Sequence, residues 1–186
     1  DFDGIRELPS STSSSSSGDA GGETDTNERS TQMPSLQDHL RAQLSGMRLA
    51  PQDAAAVMVL IESLTDDGYL DGTLEDIAER VSDSLGITGV EAREDLLDQL
   101  RCGLKWLQSL EPAGVGAADL GDCLALQLRH CAAGPARTCA LAICAGHLPL
   151  LARRDLKKLA AATGTDAATV KAAQALLVAC EPKPGR

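Results

Sequence analysis

The chain has 186 residues, which suits one compact domain or two small ones. Apolar residues make up 43% of the sequence and aromatic residues only 2%, so a hydrophobic core has to be built from Leu, Ala, Val and Ile. The formal net charge of −10 excludes binding of nucleic acid through overall charge, and the lack of any apolar run of about 18 residues excludes a membrane-spanning helix.

This composition predicts an all-α fold. Ala and Leu are strong helix formers, and the β-branched and aromatic residues that favour strands are few and scattered. The charge is unevenly distributed along the sequence. Residues 1–34 carry seven acidic and two basic residues, and residues 35–139 carry 17 acidic and eight basic residues. Residues 140–186 carry three acidic and seven basic residues. Most of the chain would therefore repel DNA, and only its last quarter could tolerate it.

Residues 1–34 are predicted to form a disordered, acidic, Ser-rich linker. They include a Ser-rich run over residues 11–18 and almost no hydrophobic residue after Leu8, so they cannot bury enough apolar area to offset their backbone entropy. No apolar stretch typical of an export signal begins the sequence. We therefore expect a cytoplasmic protein whose six cysteines are reduced thiols.

Residues 35–133 are predicted to form a first helical subdomain. Ser35 suits the N-cap of its first helix, and Pro51 suits the first turn of the second. Thr73 caps a third helix, with Asp76 at the position where a capping box prefers Glu, so only half of that motif is expected.

A long helix over residues 90–110 is predicted next. Trp106 follows its inward rhythm and is predicted to lie in the core. A Glu-Pro-Ala-Gly stop over residues 111–114 ends the helix, because proline cannot continue one. A further helix over residues 118–131 is predicted to bury Cys123.

Residues 134–186 are predicted to form a second, trihelical subdomain with helices over residues 136–151, 155–163 and 166–180. Residues 156–170 have the rhythm of a helix-turn-helix, with Gly164 at the turn. The second helix of that motif offers one lysine and no arginine for contacts with DNA, which favours a packing unit of the same shape. A stand-alone DNA-binding regulator remains the alternative.

Metal binding and catalysis find little support. Read as a calcium loop from Asp67, the sequence places Tyr69 at position three and Ala78 at position twelve, where ligands are needed. The cysteines between Cys123 and Cys144 include no C-x-x-C pair that would indicate zinc, although a cysteine-based metal or redox protein stays an alternative. None of the three histidines lies in a catalytic motif, so we predict no cofactor and no enzyme.

Two corners between helices, over residues 66–70 and 111–120, are predicted to be exposed. In the second, Val115 sits in a Gly-rich loop, and Asp119 lies near the positive end of a helix. The simpler interpretation is a corner fixed by the packing of Val115. Residues 107–114 also have a weak echo in residues 177–185, since both are an apolar helix end followed by Glu-Pro and a glycine.

Four features occur in one order along the chain. They are Leu36-Gln37-Asp38-His39-Leu40, then Asp66 to Leu70, then a stretch with Glu111, Pro112, Gly114, Val115, Ala117, Asp119, Leu120, Cys123, Leu124, Gln127 and Leu128, and finally Glu181-Pro182-Lys183-Pro184-Gly185. In this order they resemble the sigma-54 (sigma-N) family, the enhancer-dependent sigma factors of bacterial RNA polymerase. Glu111 and Glu181 stand where that family usually has Asp.

The resemblance implies a core-binding region of two helical subdomains that docks on core RNA polymerase for promoter-specific transcription. The family's activator-responsive amino-terminal region and promoter-reading carboxy-terminal region have no match here, so we expect a fragment. Promoter DNA and an ATP-dependent activator would then be partners only through those regions, and no membrane or small-molecule partner is implied.

The two exposed corners supply the candidate contacts with polymerase, and Tyr69 is the preferred anchor. The candidate polymerase-binding residues are Asp66, Asp67, Tyr69, Glu111, Pro112, Gly114, Val115 and Asp119. A basic cluster, which could meet an acidic polymerase surface or nearby promoter DNA, consists of Arg153, Arg154, Lys157 and Lys158.

Overall fold

A computed structural model describes residues 32–186, so the linker predicted for residues 1–34 lies almost entirely outside the described residues. Within the described range the chain forms nine α-helices and no β-strand, which confirms the all-α prediction. The helices are α1 (Leu36–Ser45), α2 (Pro51–Glu62), α3 (Leu74–Leu85), α4 (Val90–Leu107), α5 (Leu120–Leu128), α6 (Pro135–Gly146), α7 (Leu148–Ala152), α8 (Leu156–Thr163) and α9 (Ala167–Val178). None of these helices is long and apolar enough to cross a membrane.

Helices α1 to α4 surround a first hydrophobic cluster. Val57, Leu60 and Ile61 of α2 are completely buried there, and α2 packs chiefly against α4. Gly103 of α4 allows this close crossing, because a Cβ at that position would lie 2.9 Å from the Cβ of Ala56. The N-cap of α1 at Ser35 and the start of α2 at Pro51 are confirmed.

Two predictions for this half are wrong. The capping box of α3 is complete, since the Asp76 carboxylate accepts from the Thr73 N–H at 2.9 Å and the Thr73 hydroxyl accepts from the Asp76 N–H at 3.1 Å. The shorter side chain of Asp76 therefore completes the motif here. Trp106 is 41% exposed and lies off the core, because the buried face of α4 contains Gly103 and Leu107, which lie about 60° and about 100° around the helix axis from Trp106.

The last five helices, α5 to α9, surround a second cluster, in which Leu128, Ile143, Leu159 and Val170 are completely buried. The single helix predicted over residues 136–151 is wrong, because the chain breaks at His147 between α6 and α7. Pro149 explains the break, since proline clashes with the preceding turn of a continuous helix. The predicted turn at Gly164 is confirmed, with a left-handed φ of 66° between α8 and α9.

Helix α5 faces two ways. Its Leu124 and Leu128 pack in the second cluster, whereas Cys123 and Leu126 form a small third cluster with Ala117 and, partly buried, Tyr69. The burial of Cys123 confirms its prediction as a core residue. The third cluster lies under the corners that the sequence singled out, while the division of the helical part at residue 133 stays a prediction.

Candidate protein-docking site

Three segments that are far apart in the sequence meet at one place, here called the junction: the turn at residues 65–70, the loop at residues 111–119 and the tail at residues 181–186. The Leu70 N–H donates to the Ala117 carbonyl at 2.9 Å, and the Gly116 N–H donates to the Gly68 carbonyl at 2.9 Å. The Gly185 N–H donates to the Asp67 carbonyl at 3.0 Å. The two predicted corners are therefore parts of one site, which the tail completes.

The start of α1 also reaches the junction. Residues 35–37 bound a cavity of about 540 Å³ together with residues 65 and 66 of the turn and residues 185 and 186 of the tail. A neighbouring cavity of about 350 Å³ lies between the start of α1, Glu111, Pro112 and the tail. All four of the ordered sequence features thus contribute to one region of the surface.

Asp67 holds the tail by its carboxylate. Its Oδ1 lies 2.6 Å from the Nε of Arg186, and its Oδ2 lies 3.5 Å from the Nζ of Lys183. The hydrogen bond from Arg186 holds the pKa of Asp67 below its usual value. Asp67 therefore already has cationic partners within the chain, whereas the neighbouring Asp66 remains exposed.

Gly185 makes the closest approach between the tail and the turn. A Cβ at this position would lie 2.2 Å from the Asp66 carbonyl oxygen and 2.8 Å from the Asp67 carbonyl carbon. Both atoms belong to the backbone and cannot move aside as a flexible side chain would. Only glycine fits this position while the tail stays docked.

Two glutamine side chains fix the two Glu-Pro stops in the same way. Gln43 of α1 donates to the Glu111 carbonyl at 2.5 Å and accepts from the Glu111 N–H at 2.9 Å. Gln127 of α5 donates to the Glu181 carbonyl at 2.6 Å and accepts from the Glu181 N–H at 2.7 Å. No local pattern in the sequence predicts a role for either glutamine, although Gln127 belongs to the third ordered feature.

Tyr69 ties the turn to the tail. Its hydroxyl donates to the Pro182 carbonyl, and its ring packs on the third cluster beside Cys123. Burial raises the pKa of Tyr69 to about 12, and burial also raises the pKa of the Cys123 thiol. The predicted anchor is thus half-buried in an internal contact, and its role toward a partner stays a prediction.

We expect the free energy of unfolding to fall between about pH 10 and about pH 12 because of Tyr69. The pKa of this phenol is about 12 in the folded chain and about 10 when unfolded, so its contribution is complete below pH 10 and is lost as the pH rises through 12. Urea unfolding across this range should show a steeper loss for the unaltered chain than for Tyr69→Phe. Parallel curves would contradict the expectation. Tyr69 is the only tyrosine in the sequence, so tyrosinate absorbance reports its ionisation directly.

The predicted residues of the loop differ in what they expose. Glu111 and Asp119 are exposed, Pro112 is half-buried, and Gly114 is buried. Val115 has no exposed surface and packs in the first cluster, so in this conformation it can act only from beneath the loop. Asp119 also caps α5, since its carboxylate accepts from the Asp122 N–H at 2.8 Å.

The basic cluster lies where α7 ends and α8 begins. All four side chains are exposed, and Lys158 pairs with Asp155 at 3.5 Å. Helix α9, the second helix of the helix-turn-helix, carries only Lys171 as a base. Residues 32–186 contain no group of three or more His, Cys, Asp or Glu side chains that could hold a metal ion.

Comparison with known proteins identifies the family that this sequence matches. Residues 25–186 match the family described as "Sigma-54 factor, core binding domain". The RNA polymerase sigma-54 factor of Xanthomonas euvesicatoria is 39% identical over 163 residues, which cover 87% of this chain and 32% of that protein. The RNA polymerase sigma-54 factor of Pseudomonas putida is 34% identical over 164 residues, which cover 88% of this chain and 31% of that protein. The one from Salmonella typhimurium is 33% identical over 153 residues, which cover 82% of this chain and 30% of that protein. The chain thus spans about a third of the length of these curated relatives.

Proposed function

Because the chain belongs to the sigma-54 factor family through its core-binding domain, we propose that it docks on core RNA polymerase in promoter-specific, activator-dependent transcription initiation. The match over residues 25–186 carries this proposal. Since the chain spans about a third of its relatives, we assign it the docking alone. Promoter reading and the response to an activator would belong to other regions of such a factor.

We assign the docking surface to the junction. The junction gathers exposed carboxylates at Asp66, Glu111 and Asp119 around the half-buried Tyr69 and Pro112. An aromatic and apolar centre within a polar rim is typical of a protein interface. The opposing surface of polymerase should then be basic. The basic cluster at residues 153–158 would form a separate contact, with an acidic polymerase surface or with promoter DNA.

The chain is expected to bind purified core polymerase with a dissociation constant in the micromolar range or tighter, measured by biolayer interferometry. Reversing two junction charges with Asp66→Lys and Glu111→Lys should weaken binding at least about tenfold, because both carboxylates are exposed at the rim.

The matched control is the pair Glu91→Lys and Asp95→Lys, which makes the same charge change at exposed positions of α4. It should change the affinity less than about twofold. A folded chain that does not bind at micromolar concentration would contradict the proposed function. Equal weakening by both pairs would contradict the assignment of the junction alone.

A stand-alone DNA-binding regulator is the second candidate, favoured by the helix-turn-helix geometry of α8, Gly164 and α9. Its weakness is the lack of arginine on α9, because base and phosphate contacts rely on such residues. A mobility-shift assay at low salt decides the matter. This candidate requires duplex binding with a steep salt dependence, and no shift at low salt removes it.

A further inference from the structure

A groove between α3 and α4 lies apart from the junction. It encloses a cavity of about 300 Å³, whose lining includes the apolar side chains Ala78, Val90 and Leu97. The two helices are joined by a turn at Gly86 in the left-handed conformation, so they diverge from a fixed corner. No residue of the junction segments lines this groove.

Ser82 gives the groove a polar feature that the fold does not use. The residue is 1% exposed and lines the cavity, yet its hydroxyl has no hydrogen-bond partner within residues 32–186. An unpaired buried hydroxyl is costly, because it has given up water without gaining a partner. The hydroxyl oxygen has almost no accessible surface, so a polar group entering the groove would supply the missing hydrogen bond by displacing the side chains that cover it.

Two large apolar side chains are exposed at the connection between α3 and α4, where polar residues are more usual. Val90 is 73% exposed at the start of α4, and Leu85 is 68% exposed at the end of α3. Val90 lines the groove with Ala78 and Leu97, so these three side chains form an apolar surface beside the unpaired hydroxyl of Ser82. Such a patch is typical of a surface that a partner covers.

The charged residues at the rim of the groove indicate the charge of the partner that would bind there. Glu79 and Glu94 line the groove and lack any ion-pair partner in the described part of the chain. Arg93 also lines it, but its guanidinium is engaged by the Ile87 carbonyl at 3.1 Å and by Asp83 at 3.7 Å. The free charge at the rim is therefore negative, which excludes a nucleic-acid backbone and favours a basic protein segment.

We propose that this groove binds a basic amphipathic helix of core polymerase, which inserts an aliphatic side chain over Ala78 and Leu97 and pairs a polar group with Ser82. This inference rests on the proposed function and adds a second contact surface to the junction. Helix-in-groove binding of this kind uses an apolar face flanked by charges that complement the rim.

The test measures the affinity of the full chain for purified core polymerase. Reversing the rim with Glu79→Lys and Glu94→Lys should weaken binding at least about tenfold. The control pair, Glu91→Lys and Asp95→Lys, changes the net charge equally but does not line the groove, and should weaken binding less than about twofold.

Ser82→Ala separates binding from folding. Removing an unpaired hydroxyl should leave the melting temperature unchanged or higher, while the affinity for core polymerase falls about threefold or more. A purely structural serine would not produce that combination. In addition, a photoreactive p-benzoylphenylalanine in place of the exposed Val90 should crosslink to a basic peptide of polymerase, identified by mass spectrometry.

Each result has one meaning. If the unaltered chain does not bind core polymerase, the proposed function fails and the groove proposal with it. If the unaltered chain binds, but the rim pair and the control pair bind equally well, the groove proposal is overturned while the proposed function stands. A crosslink to an acidic peptide, or none from a bound complex, likewise overturns the groove proposal alone.

Discussion

Replacing Leu107 by alanine is expected to lower the free energy of unfolding by about 2–5 kcal/mol. Leu107 is completely buried in the first cluster at the end of α4. The junction loop rests on it, since a Cβ on Gly116 would lie 3.1 Å from the Leu107 Cδ2. The truncation therefore leaves a cavity beneath the loop that the surrounding helices can fill only in part. Urea unfolding followed by circular dichroism measures the loss.

The control for this substitution is Leu85→Ala, which makes the same chemical change at a side chain that is 68% exposed. Its effect should stay below about 0.5 kcal/mol, because the side chain is largely exposed and the C-cap at Gly86 is made by backbone groups that the change leaves in place. A loss of similar size in both variants would mean that Leu107 does not support the loop in the way its burial indicates.

Replacing Gly185 by alanine is expected to release the tail and to lower the free energy of unfolding by about 1–3 kcal/mol. The new methyl group would meet the Asp66 and Asp67 backbone at distances that real Cβ atoms do not adopt. Release of the tail would also break the Tyr69 contact with Pro182 and the ion pairs of Asp67. Hydrogen exchange should therefore speed up in the turn at residues 65–70.

Gly146→Ala is the matched control for the tail. A Cβ at Gly146 would meet nothing within 4 Å, so stability should be unchanged or slightly higher. Spectroscopic titration gives a second measure of tail release, because the pKa of Tyr69 should fall from about 12 toward 10 in Gly185→Ala and stay in place in Gly146→Ala. An unchanged tyrosine titration in Gly185→Ala would show that the tail remains docked.

Local patterns in the sequence predict most of the helices, because their signals lie within a few residues. Ser35, Pro51 and Gly164 each act on the turn that contains them, and all three mark element boundaries in the structure. The errors arise where two local signals compete. Trp106 follows the apolar rhythm of α4, but the close crossing at Gly103 sets which face of that helix is buried.

The junction could be predicted only in part. The order of four motifs indicates the family, but nothing in that order says that the motifs meet in space. Gln43 reaches Glu111 across 68 positions, and Arg186 reaches Asp67 across 119. Contacts of that span depend on how whole helices pack, and a glutamine on a helix gives no sign that its amide will clamp a distant backbone. The sequence likewise predicts that the Asp67 carboxylate is available to contact polymerase. In the folded chain this carboxylate pairs with Lys183 and Arg186 of the tail.

The cavity between the start of α1 and the tail has a consequence for how this module could be handled. Pro34 and Ser35 line it together with Gly185 and Arg186, so the segment before α1 and residues 185–186 of the tail are neighbours. Circular permutation succeeds where chain ends lie close together at a surface. A short linker joining residue 186 to residue 34 would therefore allow a circular permutant, in which new chain ends are placed in another surface loop. Because the two segments lie close together, residues 34–186 could also be inserted as a domain into a surface loop of an unrelated host protein, with little change in the distance between the ends of that loop.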